Sequence, residues 1–173
     1  MSCDEYDPWA DLGTRRGVDI LWHTGDVDRF KKPLGVTCFS GLSITLLVGQ
    51  PEHKLRSTLA HELVHLERGP FLPAQTSYQE RRVSVLAAQR LIDPTVFEEV
   101  MAATDGNPSH DDVRKACRVD WQTFYSYAKW HETVTARTVE RVWARRLDPV
   151  QWPPRWVVQD PKRWELAARI LGT

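Results

Sequence analysis

The chain has 173 residues, 42% hydrophobic and 27% charged, which is enough for one domain with a real apolar core. Its 23 basic and 23 acidic side chains cancel, which excludes an overall charge bias toward nucleic acid or membrane surfaces. The cancellation is uneven, with 11 basic and 15 acidic groups in residues 1–110 against 12 and 8 in 111–173, so the C-terminal third is mildly basic.

The opening Met1-Ser2-Cys3-Asp4-Glu5 is acidic and lacks the apolar core of a secretory signal. The apolar run at Leu42–Val48 is far too short to span a bilayer. Three scattered cysteines, Cys3, Cys38 and Cys117, make no paired metal motif and read as reduced thiols, so the expected location is the cytoplasm.

Asp7-Pro8-Trp9 has the cap-then-proline pattern of a helix start. Val18–Trp22 reads as a short strand. Gly35–Cys38 and Leu42–Val48, on either side of Ser40-Gly41, read as an antiparallel hairpin or two neighbouring strands. The alternation Ser43-Ile44-Thr45-Leu46 predicts one buried and one wetter face.

A helix is predicted over 52–69, because Leu55, Leu59, Leu63 and Leu66 recur at spacings of three and four and Gly69-Pro70 stops the pattern. A second spans 77–92 and ends before Pro94, and a third covers Thr95–Ala103 ahead of the turn Asp105-Gly106-Asn107-Pro108. Further helices are expected at Asp111–Cys117, Trp121–Trp130, Val139–Leu147 and Pro161–Leu171, with an extended segment at Trp152–Trp156. The expected class is α+β: a short antiparallel β-layer packed on the 52–69 helix, then a C-terminal helical bundle. The division is a core of residues 1–105 and a helical subdomain of 106–173.

The chemistry is concentrated in His61-Glu62-Leu63-Val64-His65, an HExxH pattern. On a helix, residues four apart share a face, so both imidazoles can converge on one zinc ion. Glu62, next to the first ligand, is placed as the base for a water whose pKa zinc lowers to about 7. The competing explanations are chance and two core histidines satisfied by hydrogen bonds.

A catalytic zinc needs a third protein ligand and one open position. Residues 66–70 hold no further histidine, so a carboxylate on the next helix is expected, with Glu80 the best placed. Glu67 points off the His61/His65 face and reads as a solvated surface residue. Tyr78, His53 and His23 are candidate oxyanion donors by type. Substrate is expected to lie extended along an edge strand, taken as Ile44–Val48.

Thr58-Leu59-Ala60-His61-Glu62-Leu63-Val64-His65-Leu66-Glu67-Arg68-Gly69-Pro70, then Glu80-Arg81-Arg82-Val83, then Ala87-Ala88-Gln89-Arg90-Leu91-Ile92-Asp93-Pro94, resembles the ImmA/IrrE family of metallopeptidases. The resemblance covers roughly residues 18–130 and is specific in the two zinc helices. Glu80 occupies the family's ligand position. Residues 105–130 look like the short helix-turn-helix-like pair of actinobacterial and phage members. The chain departs from the family at Ser84, where an Asp or Asn often stands to orient a ligating histidine, and at Leu86, which replaces a frequent Phe.

The resemblance implies a cytoplasmic zinc endopeptidase of narrow specificity, whose protein partner is a DNA-binding repressor, often encoded beside it in prophages or mobile elements. Two other classes compete. In one, Val113, Ala116, Val119, Trp121 and Phe124 form the core of a DNA-binding helix-turn-helix. Gln122 and Lys129 are few donors for base readout, so direct nucleic-acid binding is not expected. In the other, the zinc protein acts by binding a repressor without cutting it. Trp130, Trp143, Trp152, Trp156 and Trp164 read as a seal for a small C-terminal core.

Overall fold

The computed structural model describes residues 6–24 and 33–135. The helices expected at Val139–Leu147 and Pro161–Leu171 and the extended Trp152–Trp156 lie outside the described residues. Within them the class is α+β, with three strands and six α-helices.

Helix α1, Pro8–Gly13, begins as its sequence predicts, with the Asp7 side chain accepting from the Trp9 N–H at 2.9 Å. Three strands follow: β1 at Asp19–His23, β2 at Gly35–Cys38 and β3 at Ser43–Leu47. β2 and β3 form the expected antiparallel pair, with Val36 opposite Thr45. β1, however, pairs with β3 in parallel, so the sheet order is β1-β3-β2 and the expected antiparallel layer is mixed. The reason lies in the connections. A tight turn at residues 39–42 puts β3 beside β2. β1 therefore takes the remaining side of β3, secured by Asp19 N–H to Leu42 O at 3.0 Å and Val48 N–H to His23 O at 3.0 Å.

Consequently β3 is the central strand. The expectation that Ile44–Val48 is an edge is wrong, and the wetter face expected of it is mostly covered: Ser43 and Leu47 are buried along with Ile44 and Leu46.

Helix α2 spans Glu52–Arg68 and ends where Gly69, at φ 80°, donates back to His65 O. It is the centre of the molecule. Leu59, Leu63 and Leu66 pack on Ile44 and Leu46 of β3 and on Leu42 of the turn before it. Ala60 and Val64, one position further round, face a second cluster built from helix α3 (Thr76–Leu91), α4 (Pro94–Ala103), α5 (His110–Cys117) and α6 (Trp121–Thr135). A single 3-10 turn at Pro73–Gln75 leads into α3.

Helices α5 and α6 are held inside this same cluster. Val113, Cys117, Val119, Phe124 and Tyr127 are buried against Phe97, Ala87 and Leu91. Of the five residues expected to form a helix-turn-helix core, Ala116 and Trp121 are instead exposed. Cys117 takes the inward place, and Trp121 stacks on His110 with ring centroids 4.5 Å apart. Among the described residues no helix is long and apolar enough to cross a membrane.

Glu67 is a second correction, since its side chain is only 7% exposed. It accepts two bonds from Arg90 on α3, at 2.7 Å and 2.5 Å, and a further contact from Arg15. Arg15 also bonds Asp11 of α1 through Nε and Nη2, each at 2.9 Å, and the Tyr6 hydroxyl reaches Asp11 at 2.5 Å. Burial alone would disfavour the Arg90 charge, but its bonds and attraction to Glu67 hold its pKa above the ordinary value. Removing one member of a buried ion network strands the others, at a cost of about 3–5 kcal/mol. Glu67→Ala should lose stability on that scale in urea denaturation; a loss below about 1 kcal/mol would show that the network contributes little to α1–α2–α3 packing.

Candidate metal centre

The 3.6-residue period of α2 sets His61 and His65 one turn apart, between the helix face on the sheet and the face on α3. Their Nε2 atoms lie 3.0 Å apart. Helix α3 packs beside α2 and presents Glu80 in its second turn, with Oε2 3.4 Å from His61 Nε2 and 3.3 Å from His65 Nε2. The expected trio is thus brought together, and its ligand atoms all fall within 4.8 Å of one another.

Ligand–metal bonds of about 2.0–2.1 Å in a tetrahedron put donor atoms about 3.3–3.4 Å apart, so the observed triangle fits a small divalent ion. The donor chemistry fits as well. Burial pushes both imidazoles down to about 4, His61 further lowered by His65 and partly restored by Glu80, His65 further lowered by Arg68. Near neutral pH the rings are uncharged, so the short His–Glu contacts are not ion pairs. Two neutral nitrogens and a carboxylate oxygen converge on one point; a single shared proton can satisfy one side of that triangle, a cation all three. Glu80 is 44% exposed, so one side of the group stays open.

That side faces a cavity of about 520 Å³. It is lined by His61, Glu62 and His65 of α2, by Gly35, Val36 and Thr37 of β2, and by Asp120 with Gln122, Thr123 and Ser126 of α6. Asp120 is fixed there by two bonds, its carboxylate accepting from Thr123 N–H at 2.8 Å and its own N–H donating to Ser57 Oγ at 3.0 Å.

Glu62 lines the same cavity and is 6% exposed. Burial pushes its carboxyl up to about 7, the Glu80 charge adds to this, and hydrogen bonding from Thr37 opposes it. A group poised near neutrality is suited to take and return a proton. The three oxyanion candidates chosen by residue type are not brought here: Tyr78 is 54% exposed, and neither it nor His53 nor His23 lines the cavity.

Two contributors were not foreseen in the sequence. Thr37 on β2 reaches Glu62, and Gly35 lets the strand come that close: a Cβ there would lie 2.7 Å from Thr58 Cγ2 and 2.8 Å from Glu62 Cγ. A glycine opening a strand is a known mark of close backbone approach, and it was the available signal. Ser84 lines the cavity four residues after Glu80, where the family resemblance led to an Asp or Asn.

Compared with protein-family models, with curated proteins and with solved structures, the chain matches none.

Loss of either ligand helix's contribution should abolish tight metal binding. His65→Ala and Glu80→Ala are each expected to weaken zinc by more than the ~10–100-fold typical of losing an outer-sphere partner, read by chelator competition. Zinc held by Glu80→Ala as tightly as by wild type would remove Glu80 from the ligand set. Gly35→Ala should keep the metal but lose about 1–3 kcal/mol through overpacking, and unchanged stability would show that β2 can retreat freely.

Proposed function

We propose that the chain is a zinc-dependent endopeptidase that cleaves a cytoplasmic regulatory protein, as its resemblance to the ImmA/IrrE family implies. The observation that carries the reading is the position of Glu62. A buried carboxyl with its pKa near 7 shares one cavity with a His61/His65/Glu80 donor triangle and the open edge of a strand.

Zinc, when bound by the three donors, supplies Lewis acidity toward a peptide carbonyl and makes water acidic enough to attack near neutral pH. The remaining work falls to the chain. Glu62 accepts the proton of the attacking water and passes it to the leaving nitrogen, one group serving both transfers. Neutral imidazoles keep their lone pairs available for the ion without a competing proton.

The substrate main chain is oriented by β2, in place of the Ile44–Val48 strand expected as the edge. Leu47 N–H bonds Leu34 O at 2.9 Å, so by the antiparallel alternation Leu34 and Val36 turn their main-chain groups to β3. Those of Gly35 and Thr37 then face the sheet edge that no other described strand pairs, beside the cavity, where an extended peptide can add as a further strand. The substrate class fits this arrangement: a segment that can be extended and enter a cavity about 520 Å³ in volume, such as a loop or linker of a repressor.

Glu62→Gln is the decisive variant, because the amide matches the shape of the carboxylate and cannot accept the proton. It should stay folded and bind zinc, yet cleave a repressor encoded beside the gene slower by ~10⁴-fold or more, at or above the upper end for general acid–base catalysis. If it remains folded and metal-loaded and still derepresses normally in cells, the protein acts by binding and the peptidase reading fails.

A further inference from the structure

Glu62 is a buried carboxylate that has to keep one orientation while protons come and go. Among the described residues its carboxylate is held by Thr37, whose hydroxyl lies 2.8 Å from Oε2 and whose main-chain N–H also donates toward it. The same hydroxyl lies 3.0 Å from the main-chain oxygen of Glu62. It has one proton and two acceptors on one residue. It donates to the carboxylate, and after rotating toward the carbonyl it can accept from the protonated acid, so Glu62 stays tethered either way.

Thr37 also sits on β2, with its main-chain groups toward the open edge and its side chain toward α2. β2 is pressed onto that helix at Gly35, where the 2.7–2.8 Å approach of a notional Cβ to Thr58 and Glu62 leaves no room for any side chain. One residue therefore touches both the expected path of the substrate and the base.

We propose that Thr37 is the positioning residue that registers Glu62 against the strand on which substrate lies. The inference rests on the peptidase reading for its effect on rate, but its structural half stands apart from it. A one-ångström misplacement of a reacting group can cost on the order of 100-fold in rate, so a tether of this kind has a measurable consequence.

The test compares Thr37→Val, which keeps the shape and loses the hydroxyl, with Thr37→Ser, which keeps the hydroxyl and loses the methyl; Thr37→Ala serves if the valine variant does not fold. The zinc-loaded full chain is first run against a proteome-derived peptide library, and one cleaved peptide is then synthesised for kinetics. In Thr37→Val, kcat should fall roughly 10–100-fold with KM within about 3-fold, while Thr37→Ser stays within about 3-fold of wild type. Zinc affinity should be unchanged in both. Crystal structures of the metal-free variants should show one Glu62 carboxylate orientation in wild type and Thr37→Ser, and a displaced or multiple one in Thr37→Val.

Wild-type kcat in Thr37→Val with Glu62 unmoved overturns the proposal. Equal impairment in Thr37→Ser and Thr37→Val also overturns it, because that pattern assigns the effect to the methyl group. If wild type cuts nothing in the library, the peptidase reading is the one that fails, and the orientation of Glu62 still decides the role of Thr37.

Discussion

Three helices meet at the carboxylate of Glu67. It closes the last turn of α2, two residues beyond His65, and grips Arg90 of α3 and Arg15 behind α1 in surroundings where all three side chains are less than 10% exposed. A buried ionic network is weak evidence of net stability, since well-packed apolar residues often replace one at no loss. What the network does supply is direction. The bidentate Arg90–Glu67 pair ties α2 to α3 alongside the apolar contacts of Ala60 and Val64 with Val83, Ala87 and Ala88, and in that packing Glu80 lies 3.3 Å from His65. The His61/His65/Glu80 group, which could hold a metal ion, is drawn from both α2 and α3, and Glu67 and Arg90 link the same two helices.

The second constraint is that α2 has no idle face. Leu59, Leu63 and Leu66 serve the sheet, Ala60 and Val64 serve the helical cluster, and His61, Glu62 and His65 fill the sector between. Small residues on the helical side let α3 approach closely enough for a short carboxylate side chain to complete the donor set. On the sheet side Gly35 does the same for β2. Both close approaches point at the same turn of α2, so the chemistry is enclosed by packing that cannot relax in either direction without moving a functional group.

What could be read from the sequence was what depends on local period. His61, Glu62 and His65 follow from helical spacing alone, and the apolar stripe and Gly69-Pro70 place the helix around them. Glu80 followed because a missing third ligand demanded a nearby donor, and α3 was legible as the next helix. The failures are all non-local. Strand order depends on which strands pair across the chain, which β-propensity does not encode, so β3 passed for an edge when it is the middle strand. Glu67 looked solvated because charged residues usually are, and its partners lie 23 and 52 positions away. Thr37, 25 positions from Glu62, carries no motif at all. In residues 111–130 the apolar pattern favoured a pair packed on the body over a free helix-turn-helix, and the places of Cys117 and Tyr127 in the α3–α4 core were not legible from it.

The central claim is a mixed nitrogen–oxygen donor set of two imidazoles and one carboxylate around a single ion. X-ray absorption at the zinc edge of the loaded protein measures that set directly. The account predicts a four-coordinate shell at about 2.0–2.1 Å, with outer scattering from two imidazole rings and the rest of the shell oxygen. A shell containing sulfur at about 2.3 Å, or one without imidazole scattering, would contradict it.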